Sequence, residues 1–150
     1  MEELLGELQS TLNAEIPLTR ALGVRVLRYE NATLELSAPL QENINHKDTA
    51  FAGSLNALAT LAGWSLLWLV LKEAGLSAKI VIQDSSTGYL LPVTQDFSAC
   101  CSLPEPAVLE RFIKTLTRKG IARLELTSSI IENGKVAVSF KGRYVAQASK

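Results

Sequence analysis

The sequence predicts an α+β fold in which an antiparallel sheet wraps around one long central helix. The first observation is a long segment without a charged residue, between Asp48 and Lys72. The second is a set of flanking segments that alternate apolar and polar residues, as strands with one buried face do. The third is the hairpin signal Asn133-Gly134 between two of those segments. A helix that is apolar nearly all round and a sheet with one apolar face can bury each other.

Alternation predicts six strands, of which the third is interrupted. Residues 32–38 alternate most cleanly, and Glu30-Asn31 fits a tight hairpin before them. The polar run Ser85–Gly88 is expected to break the third strand. In chain order, the strands are expected at Val24–Tyr29, 32–38, 79–83 with a continuation at 89–92, 97–103, 122–130 and 136–144.

Helical spacing predicts three helices, and the central one is the longest. Asp48 or Thr49 is its expected N-cap, and Gly75 is its expected C′ residue. The helices are expected at Leu4–Leu12, Thr49–Ala74 and Pro106–Gly120, with a turn or short helix at 16–20.

The uncharged segment is also long enough to span a membrane, which takes roughly 20 apolar residues. Against a membrane span, four polar side chains recur along it, and two glycines would each lower its helix propensity by about 1 kcal/mol. These residues are Ser54, Asn56, Thr60, Ser65, Gly53 and Gly63. The flanking strands also need an apolar partner, so we expect a buried helix and no contact with a membrane.

Composition sets further bounds. The 150 residues are enough for one domain, and the 47% that are hydrophobic supply a sizeable core. Lys+Arg and Asp+Glu are balanced at 15 each, so net charge does not point to nucleic acid as a partner. The acidic N-terminus lacks the features of a signal peptide, and we expect a cytoplasmic protein. Cys100 and Cys101 are adjacent, so a disulfide between them is not expected, and they read as reduced thiols.

The predicted order of elements is that of the hot-dog fold, in one domain over residues 1–150. The central helix is apolar nearly all round, so one sheet does not account for all of its buried surface. A second copy of the chain would cover the excess, and we therefore expect a homodimer with its sites at the subunit boundary.

The loop and helix start, residues 43–55 (NINHKDTAFAGSL), resemble the signature of a hot-dog family long labelled as thioesterases. Five residues of the second half also fit this family: Tyr89, Pro92, Asp96, Ala99 and Cys101. The family is similar to the C-terminal domain of a two-domain bacterial protein whose N-terminal half is acetyltransferase-like. The resemblance covers essentially the whole chain. It implies a malonyl-acyl carrier protein decarboxylase that supports the initiation of fatty acid synthesis, with a critical Asn before the helix. By position that residue is Asn45.

The residue types around this loop favour decarboxylation on chemical grounds too. Thioester hydrolysis commonly uses a carboxylate as base or nucleophile, and the central helix carries none between Thr49 and Leu71. In a malonyl thioester the leaving carboxylate already holds the electrons, so the enzyme needs only to orient it and to stabilise the enolate. Amide donors at a helix N-terminus suffice for that, and the reaction needs no metal and no cofactor.

Asn45 is the predicted catalytic residue, and the predicted substrate-binding residues lie on the same loop, on the helix start and on the third strand. The substrate-binding set is Asn43, His46, Thr49, Phe51, Gly53, Ser54, Asp84, Ser85 and Ser86. The alternative for Asn45 and Asn43 is a turn or cap role, which Asn favours. The alternative for His46 is a solvated surface residue. Asp84, Ser85 and Ser86 are expected to reach the site across the dimer interface.

Three functions remain open from the sequence: a malonyl-thioester decarboxylase, an acyl-thioester hydrolase and a non-catalytic acyl-binding dimer. The substrate carrier, acyl carrier protein or coenzyme A, is open as well. A loose basic cluster of Arg118, Lys119 and Arg123 could receive an acidic carrier protein. Trp64 and Trp68 are four residues apart on the central helix, and they read as core residues or as the floor of an acyl pocket.

Overall fold

The computed structural model describes residues 1–149 and has the predicted order of elements. The helices and strands are α1 (Glu2–Glu15), α2 (Leu18–Leu22), β1 (Arg25–Glu30), β2 (Thr33–Ala38), α3 (Ala52–Glu73), β3 (Ala78–Tyr89), β4 (Phe97–Ser102), α4 (Pro106–Lys119), β5 (Ile121–Glu132) and β6 (Lys135–Ala148). A 3₁₀ turn at Gln41–Asn43 leads into the loop before α3.

The six strands form one antiparallel sheet in the order β1-β2-β4-β5-β6-β3. One face of the sheet packs against α3, which contacts β2, β3, β4, β5 and β6. We call this the inner face and the opposite one the outer face. An antiparallel sheet around a long central helix confirms the predicted α+β architecture. β3 lies at one end of the sheet and pairs only with β6, so one of its backbone edges is open.

The uncharged segment forms the core of the fold. α3 is long and apolar enough to cross a membrane, with a mean hydropathy of 1.6, but 72% of its most apolar stretch is buried inside the protein. Two sheet side chains donate hydrogen bonds to its carbonyl groups: Ser128 Oγ to Ala59 at 3.1 Å and Tyr144 Oη to Thr60 at 2.7 Å. Gly63 lies under the phenol ring of Tyr144, where a Cβ atom would overlap the ring. The close contact between Tyr144 and α3 therefore requires glycine at position 63.

Two predicted boundaries are wrong. α3 begins at Ala52 rather than at Thr49, because hydrogen bonds hold residues 49–51 outside the helix: those of Thr49 and Phe51 to the preceding loop, and that of Ala50 to the distant Val93. β3 is continuous from Ala78 to Tyr89, with a register shift between Ile82 and Asp84, where the sequence predicts a break at Ser85–Gly88. Polar residues continue this strand because it is an edge strand whose outer face is exposed.

The turn predictions fare better. Asn133 and Gly134 both have positive φ and form the predicted tight turn. The first hairpin turn was predicted at Glu30-Asn31 and lies one residue later, at Asn31-Ala32, because Glu30 still pairs with Thr33. Gly75 has a φ of 67° and follows the last residues of α3, as predicted for its C′ position.

Candidate active site

The loop before α3 is fixed by backbone hydrogen bonds from both sides. The Ala50 N–H donates to the carbonyl of Val93 at 2.8 Å, and the Phe51 N–H donates to the carbonyl of Asn43 at 2.7 Å. Ile44 and Ala50 also form an isolated antiparallel bridge. The loop therefore closes on itself and is tied to the chain that follows β3, directly in front of the helix N-terminus.

Asn45 organises this loop through its side-chain oxygen. Its Oδ1 accepts the backbone N–H groups of Lys47 at 2.8 Å and Thr49 at 3.1 Å. Two donors to one oxygen fix the orientation of the amide, because a flipped amide would point its NH₂ group at both N–H groups. The Nδ2 atom then donates to Thr49 Oγ1 at 2.8 Å and has only a long contact, 3.5 Å, with the carbonyl of Ala50. One N–H of Asn45 is thus held only weakly, and a ligand could compete for it.

Asn45 lines a cavity of about 250 Å³ at the N-terminal end of α3. The other described residues that line it come from the helix start and from the end of β3: Ala50, Ala52, Leu55, Tyr89, Leu90, Leu91, Pro92 and Val93. None of them carries a carboxylate, and most are apolar. The cavity thus combines one side-chain amide donor with walls that suit an acyl chain.

The N-terminus of α3 adds further donors beside Asn45. Phe51 is the N-cap, and no side chain caps the helix there. The N–H groups of Ser54 and Leu55 both donate to the carbonyl of Phe51, whereas those of Ala52 and Gly53 have no partner among residues 1–149. Unpaired N–H groups at the positive end of a helix attract an anion or a developing oxyanion. Gly53 gives room to the exposed ring of Phe51, which a Cβ atom at Gly53 would overlap.

Three other predicted residues, His46, Thr49 and Ser54, are not part of the cavity lining. Thr49 is half-buried and accepts the hydrogen bond from Asn45 Nδ2, so it holds the amide. His46 is exposed on the loop next to Asn45. Ser54 is half-buried in the first turn of α3. Thr49 therefore acts on the cavity through Asn45.

The structure does not bring Asn43 to the cavity. Asn43 is 3% exposed, and its Nδ2 donates to the carbonyls of Leu22 at 2.9 Å and Pro39 at 2.7 Å. Both side-chain N–H groups are used in these bonds, which connect the loop to the end of α2 and to the residue after β2. This geometry is that of a structural anchor.

Asp84, Ser85 and Ser86 do not line the Asn45 cavity in this chain either. Asp84 pairs with Arg143 across the sheet, and the two side chains form an ion pair of 3.4 Å on the outer face. Ser86 pairs with Lys141 on the same face, and Ser85 lies opposite Gly142. The predicted contribution of these three residues across a dimer interface stays a prediction.

Comparison with known proteins identifies the family. The family model described as "Putative thioesterase (yiiD_Cterm)" matches residues 5–148. The chain belongs to this family. Membership in a thioesterase-like family indicates an enzyme that acts on acyl thioesters.

Solved structures support the same assignment. A crystal structure described as a "putative thioesterase from Shewanella oneidensis" is 32% identical, with 98% of this chain and 99% of that chain covered and a TM-score of 0.87. A protein of unknown function from Chlorobaculum tepidum is 30% identical, with 99% of this chain and 96% of that chain covered and a TM-score of 0.94. A Pseudomonas aeruginosa protein described as a "Probable Thioesterase" shares the fold at 19% identity, with 96% and 95% covered and a TM-score of 0.81. The hot-dog fold predicted from the sequence is thereby confirmed.

The apolar wall of the cavity was missed by sequence reasoning. Tyr89 and Pro92 fit the family pattern, but no role followed from that. Leu90 and Leu91 were predicted only as part of a strand, and nothing was predicted for Val93. In the sequence these residues form only a short apolar run, which also fits a buried strand. The structure shows that the run is exposed, with Leu90 at 60% and Leu91 at 39%. Adjacent apolar side chains left open to solvent next to a polar loop indicate a binding surface.

The cysteines of this family member lie away from the cavity lining. Burial raises the pKa of Cys101 to about 11, and burial also raises the pKa of Cys100, with the Glu35 carboxylate adding to the effect. A raised pKa keeps a thiol protonated at neutral pH, so neither residue is an activated nucleophile. Cys100→Ser and Cys101→Ala are expected to keep the turnover of the wild type, measured on soluble, folded protein. Loss of turnover in either folded variant would contradict the assignment of the site to Asn45.

Cys101 should instead influence stability at alkaline pH. The folded state keeps the thiol proton up to about pH 11, whereas the unfolded thiol loses it near its ordinary pKa of 9.0. The folded state therefore binds more protons between these values, and the free energy of unfolding falls as pH rises through them, by about 2–3 kcal/mol for a shift of this size. Urea denaturation between pH 8 and roughly pH 11 should show a shallower fall for Cys101→Ala than for the wild type. Equal slopes would contradict the assigned burial.

A larger cavity lies at the other end of α3. It has a volume of about 680 Å³ between α1, the second half of α3 and the start of β3. Trp64 and Trp68 line it half-buried, and the Trp64 Nε1–H donates to the carbonyl of Ile80 at 3.2 Å. The Lys72 ammonium lies 5.1 Å from the ring centre of Trp68 and pairs with Glu7 at 2.7 Å. The two tryptophans are therefore only partly core residues.

Proposed function

We propose that this protein decarboxylates a malonyl thioester, carried by an acyl carrier protein or by coenzyme A, to the acetyl thioester. The observation that carries the proposal is the cavity at Asn45, which offers an amide N–H held only by a long 3.5 Å contact and has no carboxylate among its described lining residues. Hydrolysis would require a group that activates water, and this lining has no evident one. Decarboxylation requires only positioning and donors.

Each step of the proposed reaction can be assigned to groups at the site or to water. The bond between the carboxylate carbon and the methylene carbon breaks, carbon dioxide leaves, and the electron pair enters the thioester enolate. The Asn45 N–H and the unpaired N–H groups of Ala52 and Gly53 stabilise the negative oxygen of that enolate. A proton from water or from His46 then reaches the methylene carbon and gives the acetyl group. A neutral amide avoids the strong ground-state pairing with the carboxylate that a cation would form.

Thioester hydrolysis is the second candidate, because the family description and the similar Shewanella oneidensis structure both carry the word thioesterase. The carboxylates nearest to Asn45 in the sequence are Glu42 and Asp48, and Glu42 is exposed and outside the cavity lining. Asp48 is the one between Asn45 and α3. It is exposed, has a φ of 62° and is not part of the cavity lining. A hydrolase would therefore need a base from elsewhere.

Two substrates separate these candidates in one experiment. A decarboxylase should release carbon dioxide from a malonyl thioester and leave an acetyl thioester untouched, with no free thiol formed from either. A hydrolase should release free thiol from one or both substrates. Thiol release that accounts for the consumed malonyl thioester would contradict the proposal, and so would the absence of any turnover on carrier protein and coenzyme A thioesters alike.

The proposed functional unit is a homodimer. β3 has an open edge, and Trp64 and Trp68 of α3 lie half-exposed beside it, so a second copy would cover both. Sheet pairing through β3 would also bring Ser85 of one chain towards its partner. Light scattering at micromolar concentration should give the mass of a dimer. A monomer that keeps full activity would contradict this part of the proposal.

A further inference from the structure

Charge is unevenly distributed along a chain whose net charge is zero. Nine of the fifteen Lys and Arg residues, but only three of the fifteen Asp and Glu residues, come after residue 105. That part of the chain comprises α4, β5 and β6. Charge asymmetry of this size within one domain indicates a surface for a partner of opposite sign.

The sheet register gathers part of this charge on the outer face. Lys79 and Ile121 lie in one row across β3, β6 and β5, on either side of Gln147, and Val81 and Arg123 lie in the next outer-face row, on either side of Val145. Arg118 and Lys119 end α4, directly before β5 begins. Lys79 and Arg123 thus lie in the same two rows as Val81 and Ile121, and Arg118 and Lys119 precede Ile121 in the chain. We call these six residues the basic patch.

Ion pairs neutralise the neighbouring cations but not those of the basic patch. Farther along the same face, Arg143 pairs with Asp84 at 3.4 Å and Lys141 pairs with Glu125 at 4.0 Å. The guanidinium of Arg123 is held by a neutral group, with its Nε donating to Gln83 Oε1 at 3.0 Å. Within residues 1–149, no acidic side chain lies within 4.0 Å of the charged groups of the patch. Its positive charge is therefore available to a partner.

The centre of the patch is apolar and exposed. Val81 is 59% exposed and Ile121 is 39% exposed. β-Branched residues are common in strands, but here they lie on the solvent face in the same rows as the unpaired cations Lys79 and Arg123. An apolar centre with a charged rim is the pattern of a protein–protein interface.

We propose that the basic patch docks the acidic carrier protein that brings the thioester. The inference rests on the proposed function for its substrate, and it selects the carrier protein over coenzyme A. An acidic helix with an apolar stripe would match the rim and the centre of the patch together. Nucleic acid fits less well, because Glu125 and Asp84 lie in the adjacent row and the patch has no aromatic side chain on which bases could stack.

Charge reversal in the patch tests this docking. Lys79→Glu combined with Arg123→Glu should lower kcat/KM for malonyl carrier protein by about tenfold or more, and it should flatten the dependence of this rate on salt. Turnover of malonyl-coenzyme A should stay unchanged. The matched control, Arg25→Glu combined with Lys135→Glu, reverses two exposed cations outside the patch and should leave both rates unchanged.

Direct binding keeps this test separate from the test of the reaction. Unloaded carrier protein should bind the wild type in a calorimetric titration, and the patch variant should lose that binding while the control keeps it. This result would support the docking surface even if the reaction proved to be hydrolysis. The inference is overturned if the patch variant binds and turns over carrier protein like the wild type. It is also overturned if both substrates lose rate equally, or if the wild type binds a DNA duplex and no carrier protein.

Discussion

Replacing Asn45 by Asp is expected to lower the decarboxylation of a malonyl thioester by at least 10²–10³-fold, the cost of losing one oxyanion donor. Asp keeps a side-chain oxygen for the N–H groups of Lys47 and Thr49, which Asn45 Oδ1 now accepts, so the loop should keep its shape. It removes the amide N–H, and its negative charge repels both the substrate carboxylate and the enolate. Acetyl-thioester formation by the purified variant is the measurement.

Two further variants separate chemistry from loop structure. Asn45→Ala should lose a comparable 10²–10³-fold in turnover, and it should leave the fold intact while loosening the loop, because the acceptor for two N–H groups is gone. Thr49→Val removes the acceptor that holds Nδ2 and should lower turnover less than either change at Asn45, with Thr49→Ser restoring it. A hydrolase that used position 45 as a base would behave oppositely, with Asp keeping or raising thiol release. Near-wild-type decarboxylation by folded Asn45→Ala would remove this residue from the mechanism.

Replacing Gly63 by Ala is expected to destabilise the fold by about 1–3 kcal/mol, the usual cost of forcing an extra carbon atom into a packed core. The new Cβ atom would overlap the phenol ring of Tyr144, which is fully buried and whose hydroxyl donates to the carbonyl of Thr60 at 2.7 Å. Either the ring moves and breaks this bond, or α3 shifts away from the sheet. Urea denaturation of the variant gives the change in the free energy of unfolding.

The matched control is the same substitution at an open position. Gly6 lies on the exposed side of α1, with no atom within 4 Å of a Cβ placed there. Gly6→Ala should therefore raise stability by up to about 1 kcal/mol, through helix propensity alone. If Gly63→Ala were as stable as the wild type, the close contact between α3 and Tyr144 would not be a feature of the folded protein.

The fold was predictable because its largest elements have strong local patterns. The uncharged run that became α3 and the alternation in β2, β5 and β6 leave few other arrangements. Asn31-Ala32 and Asn133-Gly134 form their hairpin turns within the chain segments that signal them. The start of α3 was wrong because the bond from the Ala50 N–H to the carbonyl of Val93 joins residues far apart in sequence, and no local pattern reports it.

The site was predictable only in part. Asn45 lines a cavity as the loop sequence suggested, but nothing local distinguishes it from Asn43, which the fold turns inward to bind backbone carbonyls. The polar residues Asp84, Ser85 and Ser86 were predicted to bind substrate, yet strand alternation places Asp84 and Ser86 on the outer face. The apolar wall from Leu90 to Val93 reaches Asn45 only through the sheet. Pairing between distant segments therefore decides which of the polar candidates meet.

The intact mass of the acyl carrier protein, measured before and after incubation with the wild-type enzyme, tests the central claim most directly. The reaction proposed for the Asn45 cavity predicts that malonyl carrier protein loses the mass of one carbon dioxide and becomes acetyl carrier protein, with the thioester bond intact. The Asn45→Asp variant, in the same assay, should leave the malonyl form unchanged. Conversion of malonyl carrier protein to the free thiol form, without an acetyl species at any time, would contradict the account.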